Sequence, residues 1–137
     1  MSKRIRAGAV AAGAMLALTG AATNAHGAAD AYPETSYYVS NRYNEVVSGN
    51  LVWYNQSVRV GGKLTVPTGC ASVKYSTWTE GGRKLDEQVR EVCNGSRGHG
   101  FTLDADVAGG AHHVWVDLRS AGIVNKDLCT RSGCESR

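Results

Sequence analysis

Four cysteines, four histidines and three tryptophans are the side chains of this 137-residue sequence with the most chemistry to offer. Their spacing limits what each can do. No Cys-x-x-Cys pair, His-Glu-x-x-His zinc motif, Walker loop or nucleophile elbow is present. Asp104, Asp106 and His113 fall on the polar face of one candidate hairpin and could gather a cation; the plainer reading is an exposed cross-strand ion pair. His112 and His113, as strand neighbours, are expected to point to opposite faces and not to chelate together. The run Gly95-Ser96-Arg97-Gly98-His99-Gly100 combines a Ser and a His with glycines, as a phosphate cradle or catalytic loop does. It joins two strands instead of opening a helix, and no nearby acid orients His99, so it reads as a long inter-strand loop. A nucleophile, a base and a stabilising donor cannot be assembled from this inventory. The reading is a non-enzymatic protein without metal or cofactor.

The elements that carry these residues follow from three Gly-Gly pairs, Gly61-Gly62, Gly81-Gly82 and Gly109-Gly110, each set between runs rich in Val, Thr, Tyr and Trp. That is the pattern of β-hairpins. A two-residue turn at Gly81-Gly82 places Cys70 directly opposite Cys93, within disulfide reach, which leaves Cys129 to bond Cys134 in a small C-terminal loop. A turn at Gly109-Gly110 sets Phe101 opposite Leu118, Leu103 opposite Val116 and Ala105 opposite Val114, an almost wholly apolar face. Its other face pairs Asp104 with Trp115 and Asp106 with His113. At Gly61-Gly62 a three-residue loop including Lys63 pairs Val60 with Leu64 and Val58 with Val66; Pro67 and Gly69 then end the strand. With one or two further strands around Tyr37 to Val47, the expectation is all-β: a small antiparallel β-sandwich of about seven strands built from three Gly-Gly hairpins and stapled by two disulfides.

The ends read differently. Lys3, Arg4 and Arg6 precede an uncharged run over residues 7–18 that is too short to cross a bilayer. This predicts a signal peptide over residues 1–25, with cleavage after Ala29 as the alternative. Residues 26–36 are small, polar and aperiodic and read as a flexible arm, residues 37–121 as the sandwich, and residues 122–137 as a tail with the small disulfide loop. The product is expected to be secreted and extracellular, with no membrane insertion after signal cleavage. Three of the fifteen Lys and Arg lie in the signal and none of the twelve Asp and Glu do, so twelve basic side chains balance twelve acidic ones afterwards. A basic footprint for nucleic acid is therefore missing.

Aromatic placement suggests a contact surface. Trp53 is in phase with Asn55, Ser57 and Arg59, and Trp115 with His113 and Asp117, so both indoles fall on polar faces; Tyr37, Tyr38 and Tyr43 lie near the arm and Tyr32 within it. Trp and Tyr anchor protein interfaces and also serve as stacking platforms for sugars. A β-bulge reversing the phase would bury them instead.

The Trp-Tyr-Asn strand at residues 53–55, the stretch Leu64-Thr65-Val66-Pro67-Thr68-Gly69-Cys70 and the run Phe101-Thr102-Leu103-Asp104, with the alanine-rich leader, resemble a group of small secreted actinobacterial proteins of unassigned activity. In architecture the chain is also similar to the adaptor subunit of secreted umbrella-shaped antibacterial toxin particles, in which a compact domain with an extended N-terminal arm links a lectin subunit to a repeat-containing toxin subunit. That resemblance implies an extracellular adaptor docking protein partners through the arm and an aromatic β-surface made by Tyr32, Tyr37, Tyr38, Trp53 and Trp115. The alternatives are a secreted protease inhibitor presenting Arg131 between Cys129 and Cys134, and a carbohydrate-binding module stacking sugars on Trp53 and Trp115.

Overall fold

Alternation of Val, Leu and Tyr with polar residues, interrupted by short turns, produces seven strands and no helix in the computed structural model, which describes residues 31–137. The expected signal peptide and residues 26–30 of the expected arm lie outside the described residues. The strands are β1 (Glu34–Ser40), β2 (Val46–Trp53), β3 (Ser57–Trp78), β4 (Lys84–Asp104), β5 (His113–Ser120), β6 (Ile123–Thr130) and β7 (Gly133–Ser136). Every pairing is antiparallel, in the order β1-β2-β3-β5-β6-β7, with β4 also paired to β3.

The long β3 and β4, of 22 and 21 residues, belong to two layers at once. Residues 58–65 of β3 pair with β2 on one side while residues 57–66 pair with the second half of β4; residues 72–78 pair with β5 while residues 70–78 pair with the first half of β4. The crossing point is a bulge in which Pro67, Thr68 and Gly69 stand opposite Asn94 alone. Gly69 and Asn94 both take positive φ there, and the Asn94 side chain accepts the Gly69 amide at 2.8 Å. A bulge bends its strand and shifts the alternation. Before it the inward, buried positions of β3 are Val58, Val60, Leu64 and Val66; after it they are Ala71, Val73, Tyr75 and Thr77, with Ser76 buried on the other face. The two inner faces close on one core with Val47, Leu51, Trp53, Leu103, Val114, Val116 and Leu118, each such side chain contributing about 1.5–3 kcal/mol on burial.

Both disulfides form as the sequence predicts: Cys70–Cys93 directly across β3 and β4 beside the bulge, and Cys129–Cys134 directly across β6 and β7. Other expectations are corrected. Only the Gly81-Gly82 pair tips a hairpin, through a loop at 79–83 in which the Thr79 amide donates to the Arg83 carbonyl. Gly61-Gly62 lies within β3, opposite Gly49 on one side and Gly100 and His99 on the other, so Val60 pairs with Leu51 and Phe101 instead of Leu64. The run at residues 95–100 is strand, paired to β3, not a loop. Because β3 has already taken Phe101 and Leu103 as partners of Val60 and Val58, the pairing across Gly109-Gly110 does not exist: β5 lies between β3 and β6. Residues 34–36 of the expected arm are β1, and the expected tail is the β6–β7 hairpin, reached from β5 through a two-residue Ala121-Gly122 turn.

Candidate functional site

The five aromatic side chains expected to form one surface are separated. Trp53 is 1% exposed and shares the inner face of β2 with Val47 and Leu51; the phase drawn through Asn55, Ser57 and Arg59 breaks because residues 54–56 form the β2–β3 turn. Its indole N–H donates to Thr35 Oγ1 at 3.0 Å, and the Arg131 guanidinium lies 5.5 Å from its ring centre. Tyr37 is 3% exposed and also internal. Tyr38 alternates to the outside of β1 at 62% exposure, and Tyr32, half-exposed, meets the Tyr54 ring edge-on at 4.8 Å. Of the two expected tryptophans only Trp115 lies on an outer face, half-buried.

That face, the outside of the layer made by β3, β5 and β6, carries an aromatic row the sequence reading did not assemble. Register sets Trp78 beside His113, Ser76 beside Trp115 and Trp115 beside Leu128. The Trp78 and His113 rings are parallel within 3° at 6.3 Å, Trp115 meets His113 edge-on at 6.3 Å, and Lys126 Nζ lies 4.7 Å from the Trp115 ring centre. The Trp78 indole is fixed by donating to Ser76 Oγ at 2.9 Å. Val89 and Val124, about half exposed, extend the apolar area on the same side. Between them Asp117, 8% exposed, accepts from Arg119 at 3.3 Å and stands in register between Lys74 and Lys126. The row was invisible in the sequence because Trp78 reaches His113 only if β5 pairs with β3, whereas the expected hairpin paired His113 with Asp106.

His112 and His113 do not diverge as expected. Strand alternation begins only at His113, and their Nδ1 atoms lie 2.9 Å apart. Burial, then the neighbouring His112, hold the His113 imidazole below the usual histidine range. Asp104 pairs with Ser57, not with β5, so Asp104, Asp106 and His113 are not gathered, and among the described residues no three His, Cys, Asp or Glu side chains are placed to hold a metal ion.

His99 has partners that the sequence concealed. Its Nε2 lies 2.6 Å from the Tyr75 hydroxyl, which lies 2.8 Å from the Tyr37 hydroxyl, which donates to the Gly61 carbonyl at 3.0 Å. The phenols need glycine beneath them: a Cβ on Gly62 would come within 2.1 Å of the Tyr37 oxygen. Burial pushes the Tyr37 phenol up to about 12 and raises Tyr75 further, with the adjacent Tyr37 adding to it. Neither phenol can ionise near neutral pH, and the chain ends on a backbone carbonyl. Its chemistry is cohesion between layers.

Arg131 is engaged within the fold: its guanidinium donates to the carbonyls of Ala111 at 2.7 Å and Gly109 at 3.1 Å, clamping the β4–β5 connection. An inhibitory primary contact needs that group free. The chain matches no protein-family model, no curated protein and no solved structure.

Proposed function

We propose that the chain is a secreted, non-enzymatic binding protein that docks an extracellular protein partner through the outer face of the β3–β5–β6 layer. The observation that carries this reading is the row Trp78–His113–Trp115 with Lys126 over its end, half-buried on a sheet face that no other strand among the described residues covers. Aromatic side chains pre-ordered by mutual contact lose little entropy on binding, and mixed aromatic and cationic groups are the usual anchors of protein interfaces. Two disulfides in so small a domain suit an oxidising compartment. The role of adaptor between a lectin subunit and a repeat-containing toxin subunit is the specific form that the resemblance suggests.

The test is capture of the tagged protein from its producer's medium, followed by native size analysis, for the wild type and a Trp78→Ala/Trp115→Ala variant. A co-eluting protein lost in the variant, while the melting temperature holds within a few degrees, is the expected result. A lone monomer in both cases would refute the reading.

A further inference from the structure

The loops at one end of the two layers border an open cleft of about 580 Å³, lined by Tyr43 and Glu45 from the β1–β2 turn, Thr68, Gly69 and Cys70 at the bulge, and Ser120 and Ala121 from the end of β5 and its turn. It shares no residue with the aromatic row. Glu45 is 3% exposed, yet none of the four ion pairs among the described residues includes it. Its Oε1 accepts from Asn41 Nδ2 at 2.7 Å and its Oε2 from Ser120 Oγ at 3.1 Å. Two accepting oxygens are the pattern of the ionised group, and each retains a lone pair. A buried carboxylate is ordinarily matched by a cation. Here the donors to it among the described residues, Asn41 and Ser120, are both neutral.

The wall of the cleft suits the missing charge. The Tyr43 ring, 43% exposed, already has the Arg42 guanidinium 5.5 Å from its centre, so this face accepts a cation. The carboxylate is held firmly: Asn41 Oδ1 takes the amides of both Tyr43 and Glu45, closing the turn beneath it. All three non-glycine residues with positive φ among the described residues adjoin the cleft. Asn44 lies between Tyr43 and Glu45, Ala121 lines it, and Asn94 anchors Gly69. Strain of this kind persists where surrounding structure enforces a shape, often at ligand clamps.

We infer that this cleft receives the guanidinium or ammonium group of a basic side chain on a partner protein, with Glu45 as counter-ion and Tyr43 covering the alkyl stem. The inference does not depend on the aromatic row, and its test reads the cleft directly. The disulfide-intact protein, labelled with ¹⁵N, is titrated with acetyl-Gly-Arg-Gly-amide, acetyl-Gly-Lys-Gly-amide and the uncharged acetyl-Gly-citrulline-Gly-amide. The Arg and Lys peptides should shift the amides of Tyr43, Glu45, Gly69 and Ala121, and the citrulline peptide should not. Glu45→Gln should weaken binding at least about tenfold, the value of one charge-assisted hydrogen bond; Tyr43→Leu, at an exposed position, should weaken it severalfold without a change in spectral dispersion. Equal shifts with citrulline, undiminished binding in both variants, or tighter binding of free spermidine than of either peptide would each overturn the assignment.

Discussion

The Tyr75 hydroxyl lies 2.6 Å from His99 Nε2, at the head of a chain of protons whose direction the Gly61 carbonyl fixes. Tyr37 gives its proton to the Gly61 carbonyl, so Tyr75 must give its own to Tyr37, and His99 must donate from Nε2. Neutral His99 is therefore the Nε2–H tautomer, and its second proton enters at Nδ1, remote from the chain. A ¹⁵N correlation spectrum should show the protonated nitrogen of the neutral ring to be Nε2; the opposite tautomer would refute the direction of the chain.

The same ring should make stability depend on pH. Burial, then the Arg90 charge, hold the folded His99 below the ordinary histidine value, and His113 is depressed too. A depressed histidine binds protons more readily in the unfolded chain. Stability is then full above about pH 6.5 and falls as pH drops through the folded values. The urea midpoint should fall between pH 7 and pH 5, and a His99→Gln/His113→Gln variant should show a shallower fall. An unchanged slope would place the effect elsewhere.

Two adjacent glycines should respond in opposite ways to one methyl group. At Gly62 a Cβ would lie 2.1 Å from the Tyr37 oxygen and 2.9 Å from the Ser48 carbonyl, so Gly62→Ala should cost about 1–3 kcal/mol as an overpacked site. At Gly61 nothing lies within 4 Å. Gly61→Ala should be neutral or stabilise by about 0.5 kcal/mol, through the restricted unfolded chain. Paired urea melts decide it.

The disulfides should differ in worth. Chain-entropy arguments give about 3 kcal/mol for the bond closing the 23-residue separation and about 2 kcal/mol for the one closing 5. Cys70→Ser/Cys93→Ser should therefore lower the melting temperature more than Cys129→Ser/Cys134→Ser. The reverse order would show that anchoring the β6–β7 edge matters more than bracing the bend.

Ala121 occupies a left-handed position, φ 50°, at the first turn residue between β5 and β6. L-residues other than Asn, Asp and Gly pay about 1–2 kcal/mol there. Ala121→Gly should relieve part of this strain and raise the melting temperature by a few degrees; a fall would show that methyl contacts outweigh the backbone.

The strand content, the seven-strand count and both disulfides were legible in the sequence because they rest on local alternation and on the spacing of Cys70 and Cys93 around one turn. The layer arrangement was not. It depends on Pro67, Thr68 and Gly69 facing a single Asn94: Pro67 and Gly69 read as the end of a strand, whereas β3 runs on through them as a bulge, keeping the expected Cys70–Cys93 register on its far side but pairing there with β5 as well. Gly61-Gly62 reads as a turn by composition, whereas its glycines make room for the Tyr37 phenol arriving from another strand. Trp53 was misplaced for a similar reason: its phase was carried through a turn. Glu45 gave no signal, since a lone Glu after an Asn-rich turn becomes notable only once three loops have covered it.

The ribbon of β3 and β4 that runs through both layers has a consequence for resistance to proteolysis. Its exposed tip at 79–83 is the natural place for a protease to cut, yet the cut pieces remain joined through Cys70–Cys93 and through every pairing of the ribbon. A nicked molecule would migrate as one species until a reductant is added, so a single proteolytic event would leave it whole.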